Sequence, residues 1–106
     1  ILASGKVDIV TDGKRLYHIH NGTPLLSQVT GTGCLQGALC ASYLAAKPGI
    51  ESVITGSSVL GICGELARTD RGTGTFLCSL MDKLSTLTDT ETEQHLNVEE
   101  ITIEEI

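Results

Sequence analysis

The feature that most constrains the fold is the segment 29–46, VTGTGCLQGALCASYLAA, in which a short glycine-rich turn runs directly into a helix. The first backbone N–H groups of a helix have no intrahelical partner and lie at the positive end of its dipole. The turn is therefore a candidate anion site, because Gly31 and Gly33 allow an anion to approach the backbone closely. Cys34 lies at the junction, where the same field favours its thiolate.

The glycine-rich turn has alternative interpretations. Gly31, Gly33 and Gly37 form G-x-G-x-x-x-G, which is one residue longer than the dinucleotide-binding fingerprint, and no acidic residue follows at the required distance. The P-loop pattern G-x-x-x-x-G-K-[ST] is absent from the sequence. An ordinary loop in which Thr32 caps the helix is the remaining alternative. A second G-T-G, at 72–74, precedes a helix without a reactive side chain, and we interpret it as a turn and cap.

The elements around the turn follow from hydrophobic periodicity and from turn residues. Residues 7–11 and 15–19 are β-rich runs that flank Asp12-Gly13, a strong hairpin signal. We predict three helices, over about 33–46, 50–68 and 75–84. A short fourth helix is predicted to begin near Thr88-Asp89, in an acidic and solvated tail.

The helices differ in the faces that they are expected to bury. Gly56, Gly61 and Gly64 lower the helix propensity of the second helix, so we expect a neighbouring helix or subunit to pack closely against it. The apolar stripe of the first helix is predicted to consist of Leu35, Ala38, Leu39, Ala45 and Ala46, with Ser42 on the same face. The buried side of the third helix is predicted to consist of Phe76, Leu77, Leu80, Met81 and Leu84.

The charge is unevenly distributed along the 106 residues. The segment 88–106 holds seven of the thirteen acidic side chains and no Lys or Arg, which leaves six acidic and seven basic side chains in residues 1–87. That body has neither the basic surface of a nucleic-acid-binding protein nor a polybasic membrane patch. No signal peptide or membrane span is predicted.

Other candidate residues are interpreted as structural. The four cysteines form no C-x-x-C pair and have no histidine at metal-ligand spacing, so we predict free thiols in a reducing cytosol and no metal ligands. His18 and His20 alternate on a strand and are predicted to be surface residues. Asp8, within a strand, is predicted to be a turn or edge partner rather than a general base.

The predicted elements are too few for a complete domain. A hairpin followed by three helices and an acidic tail lacks the parallel strands that an α/β domain with helices on its sheet normally contains. We therefore predict that the sequence is part of a larger three-layer α/β/α domain. Residues 1–87 are assigned to that domain, and residues 88–106 to the acidic C-terminal tail.

The motifs together resemble one known family. The hairpin around VDIVTDG, the linker HNGTPLL, the turn VTGTGC and the small-residue helix resemble the C-terminal region of the hydroxyethylthiazole kinase family, which has the ribokinase-like fold. The resemblance extends from about residue 3 to residue 87. TGTGC is specific to it, since the wider ribokinase-like superfamily generally places Asp where this family has Cys.

The resemblance implies an activity and a set of site residues. The family transfers the γ-phosphoryl group of ATP to the primary hydroxyl of 4-methyl-5-(2-hydroxyethyl)thiazole, with Mg²⁺, in thiamine salvage. It places Gly31 against the thiazole, Cys34 at the reacting hydroxyl and Ser4 against ATP. The N–H groups of Thr32, Gly33 and Cys34 are expected to receive the charge of the transferring phosphoryl group.

The resemblance also implies partners, and it leaves alternatives open. It implies a cytoplasmic homotrimer with substrate sites at subunit interfaces, and magnesium ligands that lie upstream of this chain. The isolated 106 residues are expected to lack most of the site. A ribokinase-like kinase for a pyrimidine or a sugar alcohol, and a non-catalytic oligomerising fragment, are the alternatives.

Overall fold

The computed structural model describes residues 1–102. In chain order the elements are β1 (Leu2–Ala3), β2 (Asp8–Thr11), β3 (Leu16–Ile19), a 3₁₀ helix (Pro24–Gln28), α1 (Thr32–Ala46), α2 (Ile50–Leu66), α3 (Thr73–Thr86), α4 (Asp89–His95) and β4 (Val98–Ile101). The predicted hairpin and all four predicted helices are present, and their ends lie within two residues of the predicted ones. No helix within these residues is both long and apolar enough to cross a membrane.

The strands form an antiparallel sheet in the order β1-β2-β3-β4. The predicted hairpin is confirmed, since β2 pairs with β3 along its whole length and Gly13 in the turn has a φ of 91°. Side chains alternate across a strand, so Val10 and Ile19 lie buried against the helices while His18 faces the outer side. The sheet therefore has one core face and one outer face.

The acidic segment is more ordered than the sequence predicted. Its helix begins as expected, because the Thr88 hydroxyl accepts from the Glu91 N–H while the Glu91 carboxylate accepts from the Thr88 N–H. The expectation of a solvated tail is wrong for β4, which pairs with β3 from Leu16↔Ile101 to Ile19↔Val98. Acidic side chains in the middle of this strand hide its β pattern in the sequence. Residues 103–106 of the predicted tail lie outside the described residues.

Three glycines let α2 pack closely against its neighbours. A Cβ atom on Gly56 would lie 2.9 Å from the backbone of Cys40 in α1. One on Gly61 would lie 2.7 Å from the carbonyl oxygen of Asn21, and one on Gly64 would lie 2.9 Å from the Leu26 side chain. The predicted close neighbour is therefore confirmed: it is α1 at the first glycine and the linker 20–28 at the other two.

The buried faces of α1 and α3 differ in part from the predicted ones. In α1 the residues Ala38, Ser42, Ala45 and Ala46 are exposed, whereas Gln36 and Cys40 are buried. The reason is that α1 packs on α2 through the face of Gln36 and Cys40, and the small apolar residues lie on other faces. In α3 the predicted Phe76 and Leu80 are fully buried, but Leu77 and Met81 are 39% and 51% exposed.

Candidate active site

A cleft of about 750 Å³ opens where the β1–β2 turn, the linker 20–28 and the start of α1 meet α2. This volume lies within the range of small-molecule binding sites. The polar groups on its walls belong to segments that are far apart in the sequence. They include Ser4, Lys6, Asp8, Thr32, Gly33 and Ser57.

The first turn of α1 opens into this cleft. Gly31 is the N-cap residue and has a φ of 98°, in the left-handed region that favours glycine. Within residues 1–102 the N–H groups of Thr32, Gly33 and Cys34 have no hydrogen-bond partner, because the helical ladder begins at Leu35. Thr32 and Gly33 both line the cleft, so the positive end of the helix lies at the cleft wall.

Thr32 has a different local role from the one that the loop interpretation assigns. Its hydroxyl does not cap the helix but donates to the carbonyl oxygen of Leu26 at 2.8 Å. The capping prediction is wrong because Gly31, in its left-handed conformation, starts the helix one residue earlier, which makes Thr32 the first helical residue. The hydroxyl fixes the linker against α1, and the N–H remains free for a ligand.

Asp8 joins three elements beneath the cleft. One carboxylate oxygen, Oδ2, accepts from the Gln36 amide at 2.8 Å and from the Ser57 hydroxyl at 2.6 Å. The other oxygen accepts from the Gly5 N–H at 3.1 Å. The turn interpretation of Asp8 is confirmed, but the edge interpretation is wrong, since β2 lies between β1 and β3. The network fixes β2, α1 and α2 relative to one another.

Asn21 holds the linker in place at the rim of the cleft. Its amide donates to the Glu65 carboxylate at 3.2 Å and to the His95 carbonyl at 2.6 Å, while its oxygen accepts from the Asn97 N–H at 2.8 Å. Glu65 also accepts from the Gly22 N–H at 2.9 Å. One amide thereby ties the linker to α2 and to the segment between α4 and β4.

The four cysteines are all free thiols, as predicted. Cys34 and Cys78 are exposed, whereas Cys40 and Cys63 are buried. Burial raises the pKa of the Cys40 thiol, and it raises that of Cys63 to about 11. The buried thiols are therefore poor nucleophiles, and Cys34 is the exposed thiol that adjoins the cleft-lining Gly33.

Comparison with known protein families identifies the family of this chain. A sequence model of the hydroxyethylthiazole kinase family matches residues 1–90. The chain belongs to the hydroxyethylthiazole kinase family. The predicted family resemblance is thereby confirmed.

Individual members of the family agree with this assignment. The chain is 44% identical over 92 residues to hydroxyethylthiazole kinase 1 of Methanosphaera stadtmanae, a match that covers 82% of the chain and 32% of the relative. It is 38% identical over 89 residues to hydroxyethylthiazole kinase 2 of Clostridium botulinum, which covers 84% of the chain and 34% of the relative. The chain thus spans about a third of the length of these relatives.

A solved structure shows the same fold. The structure of a hydroxyethylthiazole kinase protein from Pyrococcus horikoshii OT3 matches with a TM-score of 0.90 and 31% sequence identity. The match covers 94% of this chain and 40% of the other. This structural match confirms the predicted fold, which is part of a larger α/β domain of the ribokinase-like class.

The cleft brings together some of the residues that the family resemblance selects. Ser4, Thr32 and Gly33 line it, whereas Gly31 and Cys34 lie on the same turn of α1 but outside its lining. A Cβ atom on Gly31 would meet nothing within 4 Å among the described residues, so its backbone conformation explains the glycine.

Sequence reasoning missed several members of the site. Lys6 lines the cleft, and its one sequence signal is its position directly after the Ser4-Gly5 turn. Gln36 and Ser57 are buried polar residues on helix faces that the apolar pattern does not mark. A buried polar side chain requires a hydrogen-bond partner, and here the partner is Asp8.

Proposed function

We propose that the full-length protein transfers the γ-phosphoryl group of ATP to the primary hydroxyl of 4-methyl-5-(2-hydroxyethyl)thiazole, in thiamine salvage. One observation carries the proposal. Thr32 and Gly33, whose N–H groups are unpaired among the described residues, line a cleft of ligand-binding size in a chain of the hydroxyethylthiazole kinase family. Phosphate groups bind at such helix N-termini.

The turn of α1 supports a role in charge stabilisation. Phosphoryl transfer depends mainly on positioning and on neutralising the charge of the transferred group. In our proposal the N–H groups of Thr32, Gly33 and Cys34 receive that charge, as the donors of an oxyanion hole do. Ser4 and Lys6, which also line the cleft, contact the phosphates of ATP.

Cys34 is proposed to act on the acceptor. It follows Gly33 on an exposed turn, so a substrate hydroxyl can approach its thiol from solvent. A thiolate is a weak base toward an alcohol, and Cys34 therefore chiefly positions the hydroxyl and accepts its proton late in the transfer. Gly31 lies three residues before Cys34, and we propose that the thiazole ring packs against its backbone.

The cleft residues do not fit the Mg²⁺ ion that the family implies. Mg²⁺ requires carboxylate or phosphate oxygens. Among the described residues Asp8 is the one carboxylate that lines the cleft, and both of its oxygens already accept hydrogen bonds. We therefore assign no step of this chain's chemistry to magnesium. Its protein ligands, where it binds, belong outside residues 1–102.

We also propose a cytoplasmic homotrimer. The outward side of α1 supports a subunit contact, because it carries small alanines beside the partly exposed Tyr43 and Leu44. Contiguous exposed apolar surface of this kind marks sites of protein–protein contact. The four free thiols are in keeping with a reducing compartment.

The experiment compares Cys34→Ala with Cys78→Ala in the full-length protein, with ATP-dependent phosphorylation of the thiazole alcohol as the readout. We expect Cys34→Ala to lower kcat by about 100-fold with little change in KM, the range for loss of a positioned acid–base group. Cys78, an exposed thiol on α3, is the matched control and should leave both constants unchanged.

Two outcomes would contradict the proposal. An unchanged kcat in Cys34→Ala removes Cys34 from the reaction. Faster phosphorylation of a pyrimidine or sugar alcohol than of the thiazole removes the substrate assignment. ATP turnover by the 106-residue chain alone, beside that of the full-length protein, measures how much of the site the chain supplies.

A further inference from the structure

Two histidines and a glutamate meet on the outer face of the sheet, away from the core. His18 lies in β3 directly opposite Glu99 in β4. His20 lies just beyond the end of β3, and its backbone N–H donates to the Asn97 carbonyl at 2.9 Å, so the chain stays beside the segment that leads into β4. Because side chains alternate across a strand, all three project to the same side.

The ligand atoms of these residues already lie close together. Glu99 Oε1 is 3.4 Å from His20 Nε2 and 4.0 Å from His18 Nδ1. The three ligand atoms all lie within 4.8 Å of one another. A tetrahedral ion with ligand distances of about 2.0–2.2 Å separates its ligands by roughly 3.3 Å. The side chains are 33%, 37% and 57% exposed for His18, His20 and Glu99, so small rotations toward an ion meet little resistance.

The donor set selects the kind of cation. Two imidazole nitrogens and one carboxylate oxygen suit Zn²⁺ and neighbouring first-row ions, whereas Mg²⁺ and Ca²⁺ prefer oxygen ligands alone. We propose that His18, His20 and Glu99 bind one Zn²⁺ ion, with water in the remaining position. The ion links β3 to β4 through side chains, in addition to the backbone hydrogen bonds between the two strands.

The zinc site overlaps the cleft at one residue only. His18 and Glu99 face the outer side of the sheet, whereas the cleft opens on the side of α1 and α2. His20 is shared, because it also lines the rim of the cleft. The experiment for this site measures Zn²⁺ binding rather than catalysis, so its result does not depend on the kinase assignment.

The test uses metal-stripped full-length protein without a histidine tag, titrated with Zn²⁺. Calorimetry should give one ion per chain, and NMR should show that the imidazole resonances of His18 and His20 shift while those of His95 do not. The variant His18→Asn/His20→Asn and the single variant Glu99→Gln should each weaken binding at least about tenfold. His95→Asn, which changes the third histidine in the last turn of α4, is the matched control and should bind as the wild type does.

A second readout is the melting temperature. Zn²⁺ should raise the Tm of the wild type and of His95→Asn, because the folded state alone assembles the three ligands. If the double histidine variant binds Zn²⁺ as tightly as the wild type does, the proposal is wrong. It is also wrong if neither imidazole resonance shifts during the titration. That second result is expected if Zn²⁺ binds only to thiols. The ring resonances of the wild type decide the question even if a variant fails to fold.

Discussion

The Ser57 hydroxyl lies 2.6 Å from the Asp8 carboxylate, although 49 residues separate the two along the chain. This contact joins the middle of α2 to β2, and Gln36 extends it to α1. The cleft opens directly above the three residues. The relative positions of the cleft walls therefore depend on one half-buried carboxylate.

Replacing Asp8 by Asn should destabilise the protein. The amide NH2 of Asn has to face either the Gly5 N–H or the donors of Gln36 and Ser57, so at least one of these donors loses its acceptor. We expect the free energy of unfolding to fall by about 1–3 kcal/mol in urea denaturation. Asp70→Asn, in the exposed loop before α3, makes the same chemical change and should stay within about 0.5 kcal/mol of the wild type. Equal losses of stability in the two variants would show that the hydrogen bonds of Asp8 do not stabilise the fold.

Replacing a helical glycine by alanine should have opposite effects at Gly61 in α2 and at Gly37 in α1. Gly61→Ala places a methyl group 2.7 Å from the Asn21 carbonyl oxygen and should cost about 1–3 kcal/mol of stability. Gly37→Ala, on the exposed side of α1, meets nothing within 4 Å and should add about 0.5–1 kcal/mol through helix propensity. Thermal or urea unfolding measures both. A stable Gly61→Ala variant would mean that α2 and the linker separate without cost.

Gly31 and Gly72 allow the conformational and functional roles of a glycine to be separated. Both are helix N-cap residues with positive φ, 98° and 148°, and each is the first residue of a G-T-G sequence. Alanine at either position should lower stability by about 1–3 kcal/mol. In the full-length protein we expect thiazole phosphorylation to fall for Gly31→Ala and to persist for Gly72→Ala. Similar activity losses in both variants would reduce Gly31 to a structural glycine.

The ion pair between α3 and α4 predicts a dependence of stability on pH. The Lys83 ammonium, 2.5 Å from Glu91, and then the Thr88 N–H hold the pKa of the Glu91 carboxyl below its ordinary value of 4.5. The stabilisation is therefore fully present above 4.5 and is lost as the pH falls through the lowered pKa. The difference in unfolding free energy between the wild type and Lys83→Met should shrink as the pH falls below 4.5. A difference that is constant with pH would assign the effect of Lys83 to its aliphatic stem.

Local patterns in the sequence predicted the elements well. Asp12-Gly13 located the hairpin, and the glycine-rich turn located the start of α1 to within one residue. The three glycines of α2 indicated a close neighbour, because a helix with so many glycines needs packing to be stable. These signals are contained within short stretches of chain.

Features that depend on distant partners escaped prediction. β4 pairs with a strand that lies some 80 residues earlier, and nothing within its acidic run indicates that partner. The buried face of α1 carries Gln36, whose burial makes sense only once Asp8 and Ser57 lie beside it. Ser4 was selected by family resemblance, and Thr32 and Gly33 by their position at the helix start. All three line one cleft, while their catalytic roles stay predictions.

The pairing of β4 with β3 has a consequence for how the chain is made. β3 is synthesised some 80 residues before β4, the strand that covers its open edge. An uncovered strand edge is a template for pairing with another chain. A translational pause or a truncation before residue 98 therefore leaves β3 available to neighbouring nascent chains. Completion of the acidic segment ends that period of exposure to aggregation.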